Sequence, residues 1–139
     1  DNKGWKCKFT QEETRTMITL WSIFRAPLMI GTDLPKLDDF NLSLLTNEEI
    51  LAMDKNPLQA YQANGSCHDN VVTWINECPD GKSYYECFFN LSEEEQTIRL
   101  NLQIGKSDNI RDLWERKDLG SKAECTLAPH ACKALKINL

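Results

Sequence analysis

Near residue 58 the apolar residues of this chain change their period, and that change limits the fold more than any other feature. Upstream, hydrophobic positions recur every three or four residues, the spacing that gathers side chains on one face of a helix. Downstream they alternate with polar residues between closely spaced turn signals, the pattern of antiparallel strands with one dry face and one wet face. The 139-residue chain is therefore expected to be a mixed α+β protein, mainly helical in 1–57 and built of antiparallel strands in 58–139.

The first helix announces itself at Thr10-Gln11-Glu12-Glu13. A hydroxyl at the N-cap and a carboxylate three residues later form a capping box, which satisfies otherwise unpaired N–H groups of the first turn. Met17, Leu20, Trp21 and Phe24 supply its apolar stripe, Ile18 and Ile23 widen it, and Pro27 stops it near Arg25 or Ala26. Leu28-Met29-Ile30, closed by Gly31, is a short apolar run without alternation. Such a run reads as a strand buried on both faces, as in a parallel sheet. A second helical region over 39–53 carries Leu42, Leu44, Leu45, Ile50 and Leu51, and a capping box running from Thr46 to Glu49 divides it into two short helices before Asn56-Pro57 ends it.

In the second part, the β-branched and aromatic runs Val71-Val72-Thr73-Trp74-Ile75 and Tyr84-Tyr85-Glu86-Cys87-Phe88-Phe89 flank Pro79-Asp80-Gly81, which predicts a hairpin. Ile98, Leu100, Leu102 and Ile104 alternate with polar residues, as one strand of a sandwich does. Strands are further expected over 110–114, 125–127 and 131–139, with turns at Leu119-Gly120 and Pro129-His130, giving six to eight in all.

Composition removes several function classes. The net charge of −5 lacks the excess of Lys and Arg that binds phosphate backbones, so nucleic acid is not an expected partner. No run approaches the roughly 18 apolar residues of a membrane span, so a membrane is not expected either. The start, Asp1-Asn2-Lys3-Gly4-Trp5, has neither Met nor a signal-peptide layout, which suggests a piece of a longer protein. Six cysteines, at 7, 67, 78, 87, 125 and 132, form no CxxC pair and have no two-histidine partner set, so zinc is a poor reading and no metal or other cofactor is called for. Ordinary thiols are the favoured reading, which points to a bacterial cytoplasm while a secreted or lysosomal setting stays open. A hairpin at 128–131 would bring Cys125 and Cys132 close. Sequons at Asn41, Asn64 and Asn90 carry weight only in a secretory protein.

Four stretches together resemble one known family: 20–31 (Leu20-Trp21 through Ala26-Pro27-Leu28 to Gly31), 44–50 (Leu44-Leu45-Thr46-Asn47-Glu48-Glu49-Ile50), Asn56-Pro57-Leu58, and Arg111-Asp112-Leu113-Trp114 with Leu119-Gly120. They are similar to glycoside hydrolase family 27, the α-galactosidases and α-N-acetylgalactosaminidases, and Ala128-Pro129-His130-Ala131 is similar to the last hairpin of that family's C-terminal sandwich. The resemblance implies that 1–57 is a terminal helix-strand-helix piece of a catalytic (β/α)₈ barrel and that 58–139 is an antiparallel Greek-key β-sandwich. It further implies a retaining exo-glycosidase acting on terminal α-galactosyl or α-N-acetylgalactosaminyl groups. Two aspartates perform that chemistry in the family, both upstream of Asp1, so no catalytic residue is expected in this chain. The expected partners are the rest of the barrel, the α-galactoside of the whole protein and, for the isolated chain, further copies of itself.

Residue by residue, Asp33 is the one candidate for substrate contact, at a pocket rim just beyond the expected strand, where barrel enzymes place functional groups. Asp38 and Asp39 read instead as loop and cap residues, Asp39 as the N-cap. His68 and His130 have no nucleophile motif beside them, and Glu93-Glu94-Glu95 is a solvated turn without the spacing of a calcium loop. Trp74, Tyr84, Tyr85 and Trp114 fit a filled core better than a sugar-stacking platform. An independent carbohydrate-binding or interaction module is the alternative that such a platform would support.

Overall fold

The computed structural model describes residues 8–63, 70–99, 109–121 and 124–139. The expected residues Leu100, Leu102 and Ile104, together with Cys7, Asn64, Cys67 and His68, lie outside them. Three helices, α1 (Gln11–Ile23), α2 (Asp39–Leu45) and α3 (Glu48–Asp54), precede eight described strands: β1 (Tyr61–Gln62), β2 (Val71–Glu77), β3 (Ser83–Asn90), β4 (Gln96–Arg99), β5 (Asn109–Asp112), β6 (Lys117–Gly120), β7 (Glu124–Leu127) and β8 (Cys132–Asn138).

All described pairings are antiparallel. One sheet has the order β1-β2-β3-β8-β5-β6, and β4 pairs with β7 in a second. The chain passes twice to the small sheet and back, so the last strand enters between β3 and β5. Three layers result: helices, six-stranded sheet, two-stranded sheet. Tyr85, Cys87, Phe89, Cys132 and Ala134 meet Ile18, Ile23, Leu44, Ile50 and Met53 of the helices. Tyr84, Phe88, Leu135 and Ile137, on the opposite face, meet Ile98 and Leu127 of the small sheet. Both faces of β3 are covered, and all eight of its residues are buried.

The capping box at Thr10 forms as expected, with the Glu13 amide donating to Thr10 Oγ1 at 3.2 Å and the Thr10 amide donating to Glu13 Oε2 at 2.8 Å. The hairpin also forms, Gly81 supplying the left-handed residue (φ 62°) of its turn. Other expectations need correction. The buried side of α1 is Thr14, Ile18, Thr19, Ser22 and Ile23, while Met17 and Leu20 are half-buried and Trp21 and Phe24 are more than 40% exposed. Leu28-Met29-Ile30 forms no strand: the Met29 amide turns back to the Pro27 carbonyl at 2.9 Å, and Met29 is 83% and Ile30 51% exposed. A strand needs a neighbour's backbone, and no described strand runs beside this one.

Shorter-range corrections follow from caps and bulges. Asp38, not Asp39, caps α2, accepting from the Asn41 amide at 2.7 Å. Asn47, not Thr46, caps α3, while the Thr46 hydroxyl bonds back to the Leu42 carbonyl. The strand expected at 110–114 ends at Asp112, whose carboxylate caps the following turn by accepting from the Trp114 and Glu115 amides. Leu119-Gly120 closes β6 rather than making a turn, with Gly120 at φ 62° beside a register shift in β5. Cys125 and Cys132 are free thiols on strands of different sheets.

Candidate functional site

Asp33 sits at the start of a 3₁₀ turn, Leu34–Lys36, where its side chain is about half exposed and pairs with Lys36 at 2.7 Å. Asp39 lies in the first turn of α2, where the helix dipole favours a carboxylate. Each of these aspartates thus has a local use. Among the described residues, no group of three or more His, Cys, Asp or Glu side chains is placed to hold a metal ion, and no helix is long and apolar enough to cross a membrane.

The four aromatic residues considered as a sugar platform do not make one. Tyr84 and Tyr85 are buried on opposite faces of β3, and Trp74 and Trp114 are half-buried against the helix-side core. Phe24 meets Trp74 edge to face, their ring centroids 4.2 Å apart, and the two rings border a cleft of about 260 Å³ with Arg25, Gln59 and Ala60. Elsewhere in the helical part and its connections, Trp21, Met29, Ile30, Leu34, Leu42 and Leu58 are exposed.

Alternation alone could not show two polar centres. Glu86 stands in the middle of β3, 1% exposed on the side packed against the small sheet, and its Oε2 has no hydrogen-bond partner. Burial pushes its carboxyl up to about 7. The Tyr84 hydroxyl on the same face is also unpaired, and burial raises it as well. At the end of the sandwich, His130 places Nδ1 3.3 Å from Glu13 Oε1 and Nε2 3.1 Å from Glu93 Oε1. A third polar centre is structural: Arg111 of β5 grips Glu49 of α3 through Nη2 at 2.7 Å and Nε at 3.0 Å, which holds the Glu49 carboxyl below its usual range.

Residues 68–137 match the family described as the alpha galactosidase C-terminal beta sandwich domain. Alpha-galactosidase 3 of Arabidopsis thaliana is 32% identical over 119 residues, covering 79% of this chain and 27% of that protein. A GH27 β-L-arabinopyranosidase from Geobacillus stearothermophilus superposes with a TM-score of 0.84 at 35% identity, over 99% of this chain and 33% of that one. A putative α-N-acetylgalactosaminidase from Bacillus halodurans C-125 gives 0.83 at 31% identity, over 94% of this chain and 33% of that one. The chain thus spans about a third of the length of the relatives it matches. With its sandwich, its sequence match and its structural neighbours in agreement, the chain belongs to glycoside hydrolase family 27 and corresponds to the C-terminal segment of an α-galactosidase-like protein.

Proposed function

We propose that this chain is the non-catalytic end of a longer retaining exo-glycosidase that removes terminal α-galactosyl or α-N-acetylgalactosaminyl groups. In this reading, 1–57 completes the catalytic (β/α)₈ barrel, with Leu28-Met29-Ile30 as its last strand and Asp33 at the rim of the pocket. The sandwich, 58–139, packs on the barrel and presents no catalytic group of its own. One observation carries the reading: a segment with the composition of a buried strand stands unpaired, with Met29 and Ile30 facing solvent. Apolar residues of this kind mark a surface meant to be covered.

The substrate class comes from the relatives. β-L-Arabinopyranosides share the ring configuration of α-D-galactopyranosides and lack only the hydroxymethyl group, so the β-L-arabinopyranosidase of Geobacillus stearothermophilus acts within the same sugar class. The test compares the 139-residue polypeptide with the complete protein on an aryl α-galactoside, an aryl α-N-acetylgalactosaminide and an aryl β-L-arabinopyranoside. Turnover is expected from the complete protein on at least one of them and none from the polypeptide alone. Turnover by the polypeptide above blank would defeat the architectural reading, and an inactive complete protein would defeat the assigned reaction.

A further inference from the structure

The cleft bordered by Phe24 and Trp74 is built from three parts of the chain: the end of α1, the connection after α3 and strand β2. α1 closes with the Arg25 amide donating to the Ser22 carbonyl at 3.1 Å and the Ala26 amide donating to the Trp21 carbonyl at 3.0 Å. That pair of bonds needs a left-handed residue just past the helix, ordinarily glycine. Here the left-handed residue is Arg25, at φ 57°. An arginine held in this conformation points to a use for its side chain. Among the described residues the guanidinium makes one hydrogen bond, from Nη1 to the Pro57 carbonyl at 3.0 Å, so most of its five N–H donors are free to bond outward.

Gln59, exposed in the connection between α3 and β1, gives the same cleft a carboxamide, which both donates and accepts. Phe24 and Trp74 supply apolar walls, and the 78° between their ring planes makes a corner rather than a flat platform. Apolar walls with a few convergent polar groups are the make-up of a small-molecule site. Sites for drug-sized ligands run to roughly 300–1,000 Å³, so a cleft of about 260 Å³ suits a single ring. The lining also selects among ligands. Asp54 of α3 lies within electrostatic reach of Arg25, so an anion would meet no unopposed positive charge. A wholly apolar ligand would strip water from Arg25 and Gln59 and give them nothing in return. We propose that this cleft binds a neutral pyranose, with the C–H face of the sugar against Trp74 and Phe24 and its hydroxyls on Arg25 and Gln59. The inference stands on the cleft and does not rest on the reaction assigned above.

The test is an NMR titration of the complete protein, followed at the Trp74 indole N–H, whose resonance is assigned by its loss in W74F. The probes are methyl α-D-galactopyranoside, sodium sulfate and cyclohexanol, each taken to about 50 mM, well above a millimolar dissociation constant. The sugar is expected to move the resonance saturably, with a dissociation constant in the millimolar range, as a ligand of one ring allows. R25G supplies the residue that the helix ending prefers while removing the guanidinium, and Q59A trims an exposed side chain, so neither disturbs the fold. Each should weaken sugar binding about fivefold, the scale of one lost hydrogen bond. A Trp74 resonance that does not respond to the sugar, or that responds equally in both variants, overturns the site. So does a cleft that prefers sulfate, the mark of an anion site, or cyclohexanol, the mark of a docking place for an apolar side chain. Turnover plays no part in this readout, so a failure here leaves the assigned reaction untouched.

Discussion

Asn90 shows how a single side chain can carry a different meaning in the fold than in the sequence. It heads the sequon Asn90-Leu91-Ser92, yet it is 2% exposed, and its Nδ2 group lies 2.8–3.3 Å from the carbonyl oxygens of Glu94, Leu127 and Ala128. Its Oδ1 accepts from the Ser92 amide and hydroxyl. An amide that joins the β3–β4 loop to the end of β7 has no N–H to give to a glycan, so mass spectrometry of protein made in a glycosylating host should find Asn90 unmodified. Asn90→Asp sets a carboxylate against three carbonyl oxygens and is expected to lower unfolding free energy by about 2–4 kcal/mol. Glu86 gives a prediction of pH dependence. With its folded value pushed up from 4.5 to about 7, the folded chain holds a proton that the unfolded chain has lost. Stability then falls as pH rises from about 4.5 through 7 and levels off above, a total of roughly 3 kcal/mol. Denaturant titrations at several pH values should show this slope in the native protein and lose it in Glu86→Gln, which at pH 8 should be the more stable of the two. A Glu86→Gln protein with the native slope would assign the effect elsewhere.

At the scale of elements, what the sequence revealed and what it hid divide along physical lines. The capping box at Thr10, the hairpin at Gly81 and the change of period near residue 58 were legible because each depends on residues close together in the chain. The buried side of α1 was not, because it depends on what the sheet offers. Thr14, Thr19 and Ser22 look polar in sequence, yet Thr14 and Thr19 return their hydroxyl protons to the helix carbonyls of Thr10 and Arg15, and such small side chains allow the helix to lie close on Cys132 and Ala134. Thr19 Oγ1 also accepts from Trp114 Nε1 at 2.8 Å and lies 3.2 Å from Cys132 Sγ, so one hydroxyl joins α1 to the turn after β5 and to β8. Thr19→Val keeps the shape and leaves the indole N–H without this partner. A loss of about 1–3 kcal/mol is expected in chemical denaturation, with Thr19→Ser recovering most of it. The candidate site was even less legible. Asp33 stands out in sequence for its place after an expected strand, whereas Glu86 and His130 depend on strand pairings and loop contacts between residues far apart in sequence.

For the whole molecule, the decisive quantity is apolar surface. Trp21, Phe24, Met29, Ile30, Leu34, Leu42 and Leu58 are all at least 40% exposed, and all belong to α1, to α2 or to the connections that follow the helices. In the sandwich part both faces of β3 are covered and Leu135 and Ile137 are fully buried, while Tyr61, Leu91 and Leu139 stay more than 40% exposed. Seven of the eleven exposed large hydrophobic residues among those described thus lie in or after the helices, and on the proposed reading they are what division of a larger core leaves behind, because a barrel strand buries its side chains only against neighbouring strands and helices. Removed from the rest of its protein, the 139-residue polypeptide is therefore expected to self-associate through this surface. Light scattering over a concentration series should show a mass that rises with concentration. The paired change Met29→Glu and Ile30→Lys places charge on the unpaired segment without touching either core cluster, and it should shift the polypeptide toward monomer with little change in its unfolding midpoint. In the complete protein the same pair should be strongly destabilising if, as proposed, this segment is a buried barrel strand there, because the charges then have to enter a packed interior. A polypeptide that stays monomeric at every concentration, or a complete protein indifferent to the two substitutions, would mean that this segment is an ordinary surface loop and that the barrel closes without it.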